Sequence, residues 1–230
     1  MRLRLAFAAL AAAAVPVLVA PAHPAEAQAQ RDWSRTVALT PEGGVRMGNP
    51  EAGLKLVEYG SITCPHCAQF SADSAAALRS RYVRSGRVSF EYRPYLIFPT
   101  DPGAFLLLGC LGPAGFFPAA EQLYAEQVAW SGRFRSLPRA ERERIRALPP
   151  LEQTAAIVRA AGIDRYFLSR GMSLARIDAC LADELALDRL ADITERAGAI
   201  GVQGTPTFLL NGRLIGGQEW STLEPMLGGG

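Results

Sequence analysis

Cys64 and Cys67 stand two residues apart in GSITCPHCAQF, residues 60 to 70, with Pro65 and His66 between them. Two thiols at that spacing can hold a metal together with other ligands, staple the chain locally, or exchange a disulfide with another protein. A tetrahedral metal site needs four ligands, usually as two close pairs. Apart from Cys64, His66 and Cys67 the candidates are Cys110, Cys180 and His23, each isolated, and the sequence has no second C-x-x-C and no H-x-x-x-H. No metal site is expected. A bridge across two residues closes a tiny loop and takes little entropy from the unfolded chain, so it would be a poor staple for 230 residues. Redox exchange is the better reading.

Such exchange needs a thiolate, and the neighbouring segments provide a place for one. LKLVEYGS reads as a buried strand ending at Gly60. The run from Cys64 reads as a helix with a rough apolar stripe of Phe70, Ala77, Leu78 and Tyr82, closed by Ser85-Gly86. RVSFEYRPYLI alternates Val88, Phe90 and Tyr92 and reads as a second strand. Strand, helix and strand in that order form a right-handed unit with a parallel pair. Cys64 then falls at a helix N-terminus, where free backbone N–H groups and the helix dipole stabilise a thiolate. That makes it a good leaving group and favours the reduced form. Pro65 suits the first helical turn. The imidazole of His66 can offer the thiolate a hydrogen bond or a positive charge; a plain surface residue is the alternative.

Residues 31 to 53 are turn-rich, with Gly43-Gly44 and Gly48-Asn49-Pro50 as breakers. From Asp101 to about Leu187 the pattern is helical. ERERIR alternates acid and base and reads as a solvated helix face. After Gly201 the strand pattern returns in TPTFLL, a turn at Asn211-Gly212 and RLIGG, before a closing helix in EWSTLEPML. The expected architecture is one α/β domain carrying a helical insertion.

The first thirty residues have a basic start, an apolar run from Leu5 to Ala20 and a small-residue tail, the layout of a cleavable export signal. Cleavage is expected after residue 27 or after 29. The apolar run contains Pro16 and falls short of the about 20 residues that span a bilayer. Export places the mature chain where disulfides persist. The net charge is +2 with Lys55 the only lysine, and removing Arg2, Arg4 and Glu26 leaves the chain nearly neutral, so a nucleic-acid partner has no electrostatic footprint.

VEYGSITCPHCAQF and GVQGTPTFLLNG, with the export signal and the helical block, resemble the thioredoxin superfamily, and more closely the DsbA-type periplasmic thiol:disulfide oxidoreductases. The resemblance runs from about Leu54 to Met226. It implies a thioredoxin fold with an inserted helical domain: residues 28–100 and 188–230 as its two parts, 101–187 as the insertion. It implies that Cys64, exposed at the helix start, is attacked by substrate thiolates, and that Cys67, more buried, resolves the mixed disulfide. A proline opening a strand can be a mere boundary; in this family Thr205-Pro206 is a cis bond against the cysteine pair, leaving backbone free to pair with an extended substrate. Glu58 matches the buried acidic position that moves the proton of Cys67, a partly exposed strand carboxylate being the alternative.

Cys110 and Cys180 lie in the insertion. Of three possible connectivities we expect Cys64–Cys67 with Cys110–Cys180, a bridge that some DsbA relatives also carry; two buried free thiols are the alternative. The implied activity is oxidation of cysteine pairs in reduced, unfolded exported proteins. Re-oxidation comes from a DsbB-type quinone-linked membrane partner, without a diffusible cofactor, by a monomer in the periplasm. The rivals are an isomerase or reductase on the same fold, or a non-redox chaperone-like binding protein. Isomerases of this kind usually add an N-terminal dimerisation domain, for which the roughly 25 residues before Leu54 are too few.

Overall fold

The computed structural model describes residues 31–228. The export signal, its two cleavage positions and His23 lie outside the described residues. A six-stranded mixed sheet forms the centre, in the order β1-β2-β4-β3-β5-β6. Its strands are β1 (Val37–Leu39), β2 (Val45–Gly48), β3 (Leu54–Gly60), β4 (Val88–Pro94), β5 (Thr207–Leu210) and β6 (Arg213–Gly216). The expected parallel pair is β3 with β4; every other pairing is antiparallel. The expected turn at Asn211-Gly212 joins β5 to β6, with both residues at positive φ.

The turn-rich reading of residues 31 to 53 missed β1 and β2, which extend the sheet beyond β4. These strands are three and four residues long, too short for an alternating pattern to stand out. Pairing with β4 organises β2 and buries Val45 and Met47 on one face, and β1 in turn pairs with β2. Gly43, at φ 88, turns the chain between them.

Helix α1 (Pro65–Ala77) follows β3 and continues through a π-helical stretch, Leu78–Val83. The helical segment between the strands contains α2 (Asp101–Cys110), α3 (Pro113–Ala125), α4 (Gln127–Arg135), α5 (Arg139–Arg146), α6 (Pro150–Ala161), α7 (Ile163–Leu168), α8 (Leu174–Leu181) and α9 (Glu184–Ala199). The short α10 (Trp220–Leu223) and a 3-10 turn (Glu224–Leu227) are the last described elements. None of these is long and apolar enough to cross a membrane. The boundary drawn at residue 187 falls inside α9. Residues from Arg31 onward make one compact unit.

Alternation along β3 explains what lies on each side of the sheet. Val57 and Tyr59 join Leu209 beneath Ile193 and Ala197 of α9. Leu56 points to the opposite face, into the large core with Phe90, Phe208 and the apolar sides of α1, α2 and α3. Glu58, two residues on from Leu56, must share that face. It is the one carboxylate β3 sends into the core.

Candidate active site

Two features of the sheet bring the site together. β3 ends at Gly60 and leads through Ser61, Ile62 and Thr63 to Cys64, which is the N-cap of α1 in extended conformation (φ −73, ψ 121), with Pro65 in the first turn. β5 runs antiparallel to β3, pairing Thr207 with Tyr59 and Phe208 with Glu58, so its beginning lies at the end of β3. The residues just before β5 are Thr205 and Pro206, joined by a cis peptide bond as expected. Sheet register therefore carries Thr205 across 141 residues of sequence to Cys64, whose thiol donates to the Thr205 carbonyl at 3.2 Å.

Cys64 was expected to be exposed; it is only 6% exposed, and Cys67 is fully covered. The cis loop lies against its thiol, and little of the residue is left open to solvent. Both cysteines are free thiols, whereas Cys110 and Cys180 form a disulfide. The pairing links the last residue of α2 to α8, within the helical segment.

The two active-site thiols are driven apart in acidity. Cys64 is lowered from 9.0 to about 5, first by the hydrogen bond from the Cys67 thiol and then, against the cost of burial, by the Thr205 hydroxyl and the backbone N–H groups of Cys67 and His66. These are the free amides of the first helical turn. Cys67 is pushed well above its ordinary value by burial and by the bond it gives to Cys64. Pairs of titratable groups split in this way mark acid–base roles. His66 acts on Cys64 through its backbone N–H, whereas its side chain is exposed and borders a groove.

Glu58 is 4% exposed, and its carboxyl makes no hydrogen bond with any described residue. Burial, and then the negative charge of Cys64, raise it from 4.5 to about 8, so at neutral pH it holds a proton. It borders a cavity of about 30 Å³ shared with Ser74, Tyr92 and Tyr124, room for one water. Gly60 is required here: a Cβ at that position would collide with the Tyr92 hydroxyl. Its absence lets Tyr92 reach the Tyr124 hydroxyl at 2.7 Å.

Sequence reasoning missed a group of polar residues contributed by the helical segment. Asp101, fully buried at the start of α2, accepts from Ser61 Oγ at 2.9 Å and from the Thr63 amide at 3.1 Å. Gln127, at the start of α4, donates to the carbonyls of Ile62 at 2.8 Å and Cys64 at 3.0 Å. The only signal for Asp101 was Thr-Asp-Pro ahead of an apolar run, which reads as an ordinary helix start. No periodicity marks Gln127.

A groove of about 680 Å³ opens beside the pair, lined by His66, Phe70, Thr205, Pro206, Gln218 and Trp220 among others. Among the described residues no group of His, Cys, Asp and Glu is arranged to hold a metal ion.

A thioredoxin fold with added helices, a C-x-x-C at a helix N-terminus and a cis proline facing it bring together the groups that thiol:disulfide exchange requires. The thioredoxin family model matches residues 40–227, and the chain belongs to that family. It is 32% identical to a protein-disulfide isomerase from Novosphingobium aromaticivorans, whose crystal structure superposes with a TM-score of 0.76 over 79% of this chain and 94% of that one. The alpha-DsbA1 of Wolbachia pipientis shares the fold, with a TM-score of 0.62 at 17% identity over 82% of this chain and 91% of that one. A Rickettsia typhi protein named as a candidate protein-disulfide oxidoreductase is 25% identical over 170 residues, 72% of this chain and 54% of that protein. The chain spans about half the length of the curated relatives it matches.

Proposed function

We propose that the protein is a periplasmic dithiol oxidase that gives its Cys64–Cys67 disulfide to cysteine pairs of newly exported proteins. The observation that supports this most directly is the stabilised Cys64 thiolate beneath the cis loop. A low thiolate pKa stabilises the reduced pair, which makes the disulfide an oxidant.

A substrate thiolate attacks Cys64 Sγ of the oxidised enzyme. A substrate–Cys64 disulfide forms, the Cys64–Cys67 bond breaks, and Cys67 leaves as a thiolate. Glu58, held protonated, supplies the proton that the buried Cys67 demands. A second substrate thiolate then attacks the substrate sulfur of the mixed disulfide and expels Cys64 as a thiolate. The substrate has lost two electrons, the enzyme has gained two, and Glu58 recovers its proton from solvent. A quinone-linked membrane partner of the DsbB type would take the electrons away.

Equilibration with glutathione buffers tests the direction. An oxidase poises near the about −120 mV of the strongly oxidising members of the superfamily. A value near the about −270 mV of thioredoxin overturns the reading. The name of the 32%-identical relative favours one alternative, an isomerase. That alternative requires the reduced enzyme to reshuffle a scrambled disulfide substrate without an added oxidant. A non-redox binding protein would keep its biological role with Cys64→Ser.

A further inference from the structure

We infer that the helical segment acts as a clamp on the loop that carries Cys64, with Asp101 and Gln127 as positioning residues for the reacting sulfur. The inference takes from the proposed function only that Cys64 is the reacting thiol.

Residues 61 to 64 cross from the end of β3 to the start of α1, and little of their polar surface is satisfied by those two elements. The helical segment supplies the rest. Asp101 Oδ1 accepts from the Thr63 amide at 3.1 Å and from Thr63 Oγ1 at 2.8 Å, and Ser61 Oγ reaches both carboxylate oxygens at 2.9 Å. Asp101 Oδ2 also accepts from the amides of Ile97 at 3.0 Å and Phe98 at 2.8 Å, so the carboxylate ties two loops together. From the other side, Gln127 Nε2 holds the carbonyls of Ile62 and Cys64. Tyr124 Oη donates to the Ser61 carbonyl at 3.2 Å. Three residues from three helices, all at least nine-tenths buried, thus fasten four consecutive residues.

The purpose of such a clamp follows from the geometry of the sulfur. Cys64 must face the Thr205 carbonyl on one side and the amides of the first helical turn on the other. Stabilisation by those amides depends steeply on distance and angle, and Cys64 is the hinge between loop and helix. Its own carbonyl is one of the groups Gln127 grips. Asp101 cannot be replaced by asparagine without loss, because both of its oxygens accept backbone N–H bonds and an amide nitrogen accepts none.

The test uses the full reduced protein and reads the Cys64 thiolate midpoint by absorbance against pH. Asp101→Asn and Gln127→Met should each raise that midpoint by roughly half to one unit. Glu58, Cys67, His66 and Thr205, the other groups that face Cys64, are unchanged in both. Tyr166→Phe is the control, since it removes only the helical-segment hydrogen bond from Tyr166 Oη to the Ala119 carbonyl. The clamp is supported if the two variants move the midpoint and the control does not, whatever each does to melting temperature. It is overturned if Gln127→Met folds with an unmoved midpoint, or if Tyr166→Phe shifts it as far. Should Asp101→Asn fail to fold, Thr63→Val, which keeps the carboxylate, takes its place. The absolute midpoint and potential of the unaltered protein judge the oxidase reading, whereas differences between variants judge the clamp.

Discussion

The Cys64 thiol and the Thr205 carbonyl oxygen are 3.2 Å apart although 141 residues separate them in sequence. The Thr205 hydroxyl is buried without a partner among the described residues while Cys64 is a thiol. Once Cys64 ionises, the hydroxyl has an acceptor, and it contributes to the lowered pKa. Thr205→Val, close in shape but without the donor, should raise the Cys64 midpoint by roughly half to one unit, and Thr205→Ser should restore it. An unchanged midpoint in the valine variant would show that the hydroxyl plays no part.

Stability of the reduced protein should be nearly flat between about pH 5 and 8, through two opposed effects. Cys64 is ionised in the folded state above about 5 and in the unfolded chain only near 9, so its contribution rises with pH across that window. Glu58 stays protonated in the folded state up to about 8 but loses its proton near 4.5 when unfolded, so its contribution falls from 4.5 to 8. One proton released and one retained leave no net slope. Disulfide formation removes the Cys64 titration, so the oxidised protein should lose stability with rising pH. Urea denaturation of both forms at several pH values measures this; parallel curves would contradict it.

Glu58→Gln removes the falling half of that balance. The reduced variant should gain stability between about pH 5 and 8, each unit of pKa difference being worth about 1.4 kcal/mol. It should also exchange disulfides more slowly, by on the order of tenfold to a hundredfold, because Cys67 loses its buried proton donor. Stopped-flow fluorescence with a dithiol peptide reads the rate. Unaltered kinetics would remove Glu58 from the mechanism.

Replacing Cys110 and Cys180 together by alanine should cost about 4 kcal/mol, as expected for a bridge closing a loop of 70 residues. Thermal and urea unfolding of the oxidised protein measure the loss. A variant as stable as the parent would make the bridge structurally idle.

Much of the fold was legible because it follows from local pattern. β3 announced itself by its β-branched and aromatic run, β4 by alternation and the β5–β6 hairpin by Asn211-Gly212, whereas Cys64-Pro65-His66-Cys67 pointed to redox exchange only once the missing second ligand pair and the short loop had weakened metal and staple. The Cys110–Cys180 bridge was expected from the number of cysteines, an expected oxidising compartment and the family resemblance, with two buried free thiols as the alternative. β1 and β2 escaped because strands this short owe their existence to pairing: β2 leans on β4, some forty residues away, and β1 leans on β2. The near-complete cover over Cys64 was not visible either, since the loop that covers it arrives through sheet register. Asp101 and Gln127 were missed for a related reason. Their residue types are ordinary on a helix, and only tertiary packing aims them at the 61–64 loop.

The Cys110–Cys180 bridge has a consequence for turnover. With that pair locked, the chain has two exchangeable sulfurs left, so one molecule can carry a single two-electron disulfide and has no spare thiol with which to attack it. Mixed with excess dithiol substrate, the oxidised protein would give a burst of one product disulfide per enzyme molecule and then stop. Further product would form at the pace of re-oxidation, whatever the speed of the chemistry at Cys64.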